Sequence, residues 1–114
     1  MIESEIIYSN CFGMLTQNNL LSRYELTIKN HSFFFSPKEL RHFLKEIKTI
    51  DLITYLNSSS SIETFFFPEL DILLILSITE LVYLKELTSG SLCMLELNTI
   101  LEEALNVSYS TQLS

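Results

Sequence analysis

The sequence predicts an α+β fold, a mainly antiparallel sheet of five or six strands with two or three helices, and three features point there. Apolar and polar residues alternate through Tyr24-Glu25-Leu26-Thr27-Ile28-Lys29, the pattern of a strand with one buried face. Phe33-Phe34-Phe35-Ser36-Pro37-Lys38-Glu39-Leu40 recurs 41 residues on as Leu74-Ile75-Leu76-Ser77-Ile78-Thr79-Glu80-Leu81, an apolar triplet running into Ser-x-x-Glu-Leu each time. Leu40, Phe43, Leu44 and Ile47 then follow the first copy at helical spacing. A strand handing over to a capped helix is expected at both copies. Two β–β–α units would account for the recurrence, whether by duplication or by shared geometry.

Each element has its own local reason. Ile6 to Tyr8 and Phe12 to Thr16 read as strands, joined to the strand at Tyr24 through the turn composition of Asn18-Asn19. Lys29-Asn30-His31 forms the next turn, before Phe33. Ser36 is placed to accept from a backbone N–H three residues on, and Glu39 to reach back to the N-cap N–H, so a helix starts at Pro37 and runs to about Lys48. Phe35 before the cap and Leu40 after it have the spacing of a hydrophobic staple, as do Leu76 and Leu81 around Ser77 and Glu80. Asp51 to Leu56 is ambiguous, and residues 57 to 61 read as a mobile polar linker. Ile62 to Phe67 and Ile72 to Leu76 make a second hairpin around Pro68-Glu69. The second helix uses Leu81, Leu84 and Leu87 and is expected to stop at Ser89-Gly90, where glycine accepts the left-handed cap. A last helix over Leu97 to Leu105 would turn Ile100, Leu101, Ala104 and Leu105 inward and Glu102 and Glu103 outward. The domain thus spans residues 1 to 107, with 108 to 114 a loose tail.

Length and composition bound the class. A chain of 114 residues buries roughly 65% of its unfolded surface, enough for one core. Its longest apolar run, Ile72 to Leu76, is far below the roughly 20 residues of a membrane span. The start, Met1-Ile2-Glu3-Ser4-Glu5, is acidic and lacks the pattern of a secretory leader. Cys11 and Cys93 belong to no Cys-x-x-Cys pair, so both are expected as buried free thiols in a cytoplasmic protein. With His31 and His42 also isolated, no metal site is predicted.

The hairpin ending in Tyr24-Glu25-Leu26-Thr27-Ile28, the Phe34-Phe35-Ser36-Pro37-Lys38-Glu39-Leu40 corner and the later Ser77-Ile78-Thr79-Glu80-Leu81 together resemble a group of small Bacteroidota proteins that share a domain of unknown function. The resemblance covers most of residues 5 to 105 and implies a fold but no activity. Members with a Cys-x-x-Cys pair in the first hairpin differ from this chain, which has Gln17-Asn18-Asn19-Leu20 there.

Catalytic chemistry finds little support. With Gly13 and Gly90 as the only glycines there is no phosphate-cradling loop, and no cofactor is expected. His31 in a turn and His42 on the first helix read as isolated surface histidines, since no Ser or Cys nearby has a nucleophile's setting. Glu69 and Asp71 would be an acid–base pair only if buried, and a turn leaves them solvated.

Charge is divided unevenly. Residues 1 to 48 carry six Lys and Arg against five Glu, a net of +1, whereas residues 49 to 114 carry Lys85 alone against nine carboxylates, a net of −8. Lys38, Arg41, Lys45 and Lys48 fall on one face of the first helix. They read either as a docking stripe for an acidic partner or phosphates, or as a solvated face paired with Glu39 and Glu46. Overall negative charge disfavours nucleic acid as a partner. It also fits an acidic inhibitor or nucleic-acid mimic that binds a basic protein.

Mean hydropathy is +0.29, and six of the eight phenylalanines sit in two triplets, Phe33 to Phe35 and Phe65 to Phe67. Consecutive strand residues point to opposite faces, so a triplet cannot hide on one side of a two-layer fold. The sequence therefore favours a non-catalytic cytoplasmic interaction module that forms homo-oligomers, or binds a protein partner, through the Phe33, Phe34, Phe35, Phe65, Phe66 and Phe67 surface. A small-ligand binder is the remaining alternative.

Overall fold

The computed structural model describes residues 4–18, 21–57 and 61–113, with side chains through Leu105 in the last stretch. In chain order the elements are β1 (Ser4–Ser9), β2 (Gly13–Asn18), β3 (Arg23–Ile28), β4 (His31–Phe35), α1 (Pro37–Lys48), α2 (Leu52–Leu56), β5 (Ile62–Phe67), β6 (Ile72–Ser77) and α3 (Ile78–Leu113). The protein is α+β: β1 to β4 form a four-stranded antiparallel meander, and β5 and β6 a separate antiparallel hairpin. A bulge between Ile6 and Tyr8 in β1 brings Ile7 into the core with Tyr8 packed against it.

Both capping boxes form, because each needs only residues within one turn. Glu39 N–H donates to Ser36 Oγ at 3.2 Å and Ser36 N–H donates to Glu39 Oε1 at 2.8 Å. At the second corner Glu80 N–H donates to Ser77 Oγ at 3.2 Å and Ser77 N–H to Glu80 Oε1 at 2.9 Å. The four staple residues, Phe35, Leu40, Leu76 and Leu81, are all buried. Asp51 settles the ambiguous stretch after α1 by accepting from Ile53 N–H at 3.0 Å, which starts the short α2.

One core joins the two sheets, and Phe43 is its hinge. This fully buried α1 residue stacks on Phe35 of β4 and meets Phe67 of β5 edge-on, with ring centroids 5.2 Å apart in both pairs. The last members of both phenylalanine triplets therefore meet on one helix. Lys85 ties α3 to the other end of α1: its ammonium donates to the carbonyls of Lys48 at 3.0 Å, of Ile47 at 3.5 Å and of Ile50. The Ile47 and Lys48 carbonyls are at the negative end of the α1 dipole, so the single cation after residue 48 serves as a helix C-cap.

Several expectations need correction. Gly90 does not end a helix, because α3 passes through it without a break to Leu113. A Cβ at Gly90 would lie 2.2 Å from the Tyr8 ring, so glycine serves there to let β1 lie against the helix. Cys11 and Cys93 are free thiols but exposed, since Cys11 lies in the β1–β2 turn and Cys93 on the side of α3 away from the core. Residues 58 to 60 of the expected linker lie outside the described residues. At 36 residues α3 is about 54 Å long. It gives the molecule a long axis of 64 Å against 31 and 27 Å for the others.

Candidate functional site

The structure sorts the two triplets by strand alternation. Phe35, Phe65 and Phe67 are in the core and Phe33 is half-buried, which removes them from the expected surface. Phe34 and Phe66 are 62% and 57% exposed. Because Phe35 and Phe67 both reach Phe43, their strand neighbours Phe34 and Phe66 point away from the same core.

Around Phe66 the outer face of the hairpin is apolar. The register places Phe66 opposite Leu73, Thr64 opposite Ile75 and Ile62 opposite Ser77. Ile62, Phe66, Leu73 and Ile75 are each more than half exposed, and their alternate neighbours Phe65, Phe67, Leu74 and Leu76 are buried. The corresponding face of the meander is mixed. There Phe34 stands opposite Glu25, Thr27 opposite Ser32 and Thr16 opposite Glu25. Ile62, Leu73 and Ile75 were not singled out in the sequence, although Leu73-x-Ile75 and Ile62-x-x-x-Phe66 carry the required period of two. A cleft of about 310 Å³ separates the two sheets, bounded by Ile28, His31 and Phe33 on one side and Leu73 to Leu76 on the other. Lys29 also borders it, and its Nζ lies 2.6 Å from Glu80 Oε2.

No family model matches the chain, nor does any curated protein or solved structure.

A second bare surface lies on α3. Thr88, Ser91, Leu92 and Leu95 face the core side, the first two fully buried and the others half-buried. Nine residues further along come Leu97, Ile100, Leu101 and Ala104, and a step of nine turns a helix by about two and a half turns, onto the opposite face. Leu97, Ile100, Leu101 and Leu105 are 43 to 68% exposed, so the distal stripe expected to close the fold stays out of the core, with Ile100, Leu101 and Leu105 along an open groove. Glu96 and Glu102 line a groove of about 1080 Å³ together with Arg41 and Lys45 of α1. This shared groove sets the carboxylates of α3 across from the basic stripe of α1.

The stripe itself is as the spacing predicts, with Lys38, Arg41, Lys45 and Lys48 all exposed. Among the described residues no ion pair reaches any of the four. Glu39 is engaged in its capping box, and Glu46 lies 3.8 Å from His42 Nε2. His42 is not isolated: its Nε2 is 2.8 Å from Glu69 Oε2, which links α1 to the β5–β6 turn. Asp71 serves that turn through its backbone, at φ 55°. His31 begins β4 and is exposed.

Three groups have shifted acidities. The Ser36 backbone N–H, then its hydroxyl, hold Glu39 below the ordinary carboxylate value. Lys29, then the Ser77 backbone N–H, do the same for Glu80. Hydrogen bonding to Glu86, with desolvation behind it, raises Tyr8. Tyr8 O–H donates to one Glu86 carboxylate oxygen, and Asn10 Nδ2 donates to the other at 3.1 Å, fixing β1 along α3. Each of these groups is part of a structural joint. Among the described residues no three His, Cys, Asp or Glu side chains gather as a metal site, and no helix is long and apolar enough to cross a membrane.

Proposed function

We propose that this protein is a non-catalytic cytoplasmic interaction module that self-associates through the outer face of β5 and β6, with Phe66 at its centre. The observation that carries the reading is the set of four apolar side chains, Ile62, Phe66, Leu73 and Ile75, more than half exposed on one side of a two-stranded hairpin. A hairpin with an apolar face needs a covering layer, and its inner face already has one. Exposed apolar surface of this kind marks protein interfaces. The two exposed free thiols favour a reducing compartment.

Light scattering on the native protein at moderate salt tests this. A mass at a multiple of 13.2 kDa is expected, with Phe66→Asp returning it to the monomer value and Phe34→Asp having less effect. A monomeric native protein, or a mass unchanged in both variants, overturns it. The groove between α1 and α3 favours a second reading, a small-ligand binder. A thermal-shift screen of small anions and metabolites that moves nothing removes that one.

A further inference from the structure

The groove between α1 and the distal half of α3 brings together charged side chains that the fold itself does not use. Arg41 and Lys45 border it from α1, and Glu96 and Glu102 from α3. Among the described residues none of these four makes an ion pair or a side-chain hydrogen bond, although both signs line one groove. We propose that the groove binds a short apolar peptide of about three residues lying across it, with its carboxylate on Arg41 and Lys45 and its ammonium on the acidic side, at Glu5, Glu96 and Glu102. The inference rests on the small-ligand reading of this groove and names the class of ligand; the hairpin face plays no part in it.

The floor of the groove is the last row of the meander's inner face. Glu5 stands opposite Gln17, and Gln17 opposite Tyr24, so the three side chains share one face of the sheet. Gln17 and Tyr24 are each two places along from a buried residue, Leu15 and Leu26, which makes that face the inner one. Helix α3 packs over β1 and β2, and α1 over β3 and β4, so the two charged walls stand two strand spacings apart, about 10 Å. The row crosses that width, with Glu5 on the acidic side and Tyr24 on the basic side.

Charge and span decide the occupant. A purely anionic ligand would meet the carboxylates and a purely cationic one would meet Arg41 and Lys45, whereas a zwitterion with its charges about 10 Å apart meets only opposite signs. An extended chain advances about 3.3 to 3.6 Å per residue, so three residues set a terminal ammonium and a terminal carboxylate at that separation. A free amino acid is too short to reach both walls. Between the walls the side-chain amides of Gln17 and Asn98 make no hydrogen bond to any described residue, and they match the N–H and C=O groups of a peptide. Leu92, Leu95, Leu101 and Leu105 supply apolar surface for the peptide's side chains, and at about 1080 Å³ the groove has room for large ones.

Isothermal titration calorimetry on the native protein tests this with tri-leucine as the probe, beside its N-acetylated and C-amidated forms. Tri-leucine should bind at one site, and capping either end should weaken it about fivefold. Arg41→Gln with Lys45→Gln should weaken tri-leucine by a similar factor and leave the C-amidated form unaffected. Glu5→Gln with Glu96→Gln should weaken tri-leucine and leave the N-acetylated form unaffected. All four positions are exposed, so these proteins should fold. Lys48→Gln, on the basic stripe but outside the groove, should change nothing. Binding that ignores the caps, or that both double variants leave unchanged, would mean apolar adsorption elsewhere and overturn the inference. Absence of binding at millimolar tri-leucine overturns it as well. The thermal-shift screen then separates the two levels. A metabolite whose shift disappears in the Arg41→Gln, Lys45→Gln protein keeps the small-ligand reading without the peptide, and a screen that moves nothing ends both.

Discussion

The two strand-to-helix corners begin alike and end differently. At Ser36 and at Ser77 the same Ser, Glu and Leu build the same capping box, with hydrogen bonds that agree within 0.1 Å. The first helix stops after 12 residues and the second continues for 36. At Thr49 the end of α1 has a local cap, with the Thr49 hydroxyl donating to the Glu46 carbonyl at 2.7 Å, and Lys85 adds contacts to the Ile47 and Lys48 carbonyls. At Gly90, where the sequence marks a stop, β1 lays Tyr8 on the helix and α3 runs on. Short-range chemistry thus fixes where both helices start and where α1 ends, and at Gly90 a neighbouring strand accompanies a helix that runs past its marked stop.

The largest effect that could break this comparison belongs to Phe43, the residue through which the two units share a core. Phe43→Ala should cost about 3 to 5 kcal/mol and keep a single urea transition. A loss below about 1 kcal/mol, or two separate transitions, would mean that the units fold as independent bodies.

Gly90 sharpens the contrast with a smaller effect. Alanine is worth about 1 kcal/mol over glycine inside a helix, so Gly90→Ala in a Tyr8→Ala background should raise stability by about that amount. With Tyr8 present the same change should lower it, since the new Cβ displaces the ring and breaks the bond to Glu86. Denaturant midpoints of the four proteins check the reversal of sign. If Gly90→Ala stabilises in both backgrounds, Tyr8 is not the reason for the glycine.

The smallest effect concerns the two cap carboxylates. Both Glu39 and Glu80 titrate lower in the folded protein than in the unfolded chain. Their contribution is therefore complete above about pH 4.5 and is lost as pH falls through the depressed folded values. Glu80 has Lys29 in addition to its cap, so Glu80→Gln should flatten the acid limb of the stability curve more than Glu39→Gln. Thermal melts from pH 6 to pH 3 measure it. Equal flattening would leave Lys29 without a role at the second corner.

How much was legible follows from how far each decision reaches along the chain. The α1 span, the β5 span, both capping boxes and the exposed basic stripe depend on residues a turn or a pleat apart, and each was readable as such. The His42–Glu69 contact joins α1 to a turn 27 positions away, and no local pattern announces it. The exposed thiols were misread for a related reason: cysteine's general preference for burial says nothing about which side of α3 Cys93 takes.

The candidate surface divides the same way. The triplets alone established that some phenylalanine must face outward, because a strand cannot turn three consecutive side chains to one side. That it would be Phe34 and Phe66 was decided by Phe43, which drew Phe35 and Phe67 inward. On α3 the sequence is apolar on both sides of one continuous helix, so periodicity could not say which stripe the core would take. The core took the face of Leu81, Leu84, Thr88 and Ser91, and β1 lay along the other side at Tyr83, Glu86 and Gly90. Beyond that strand Leu97, Ile100, Leu101 and Leu105 stay outside the buried core, the last three along the groove that Arg41 and Lys45 also border. The sequence by itself determined the strands, the helix starts and their caps, because those energies are local; only the tertiary structure decided how far α3 runs and which apolar faces were left uncovered, because burial depends on what arrives from elsewhere in the chain.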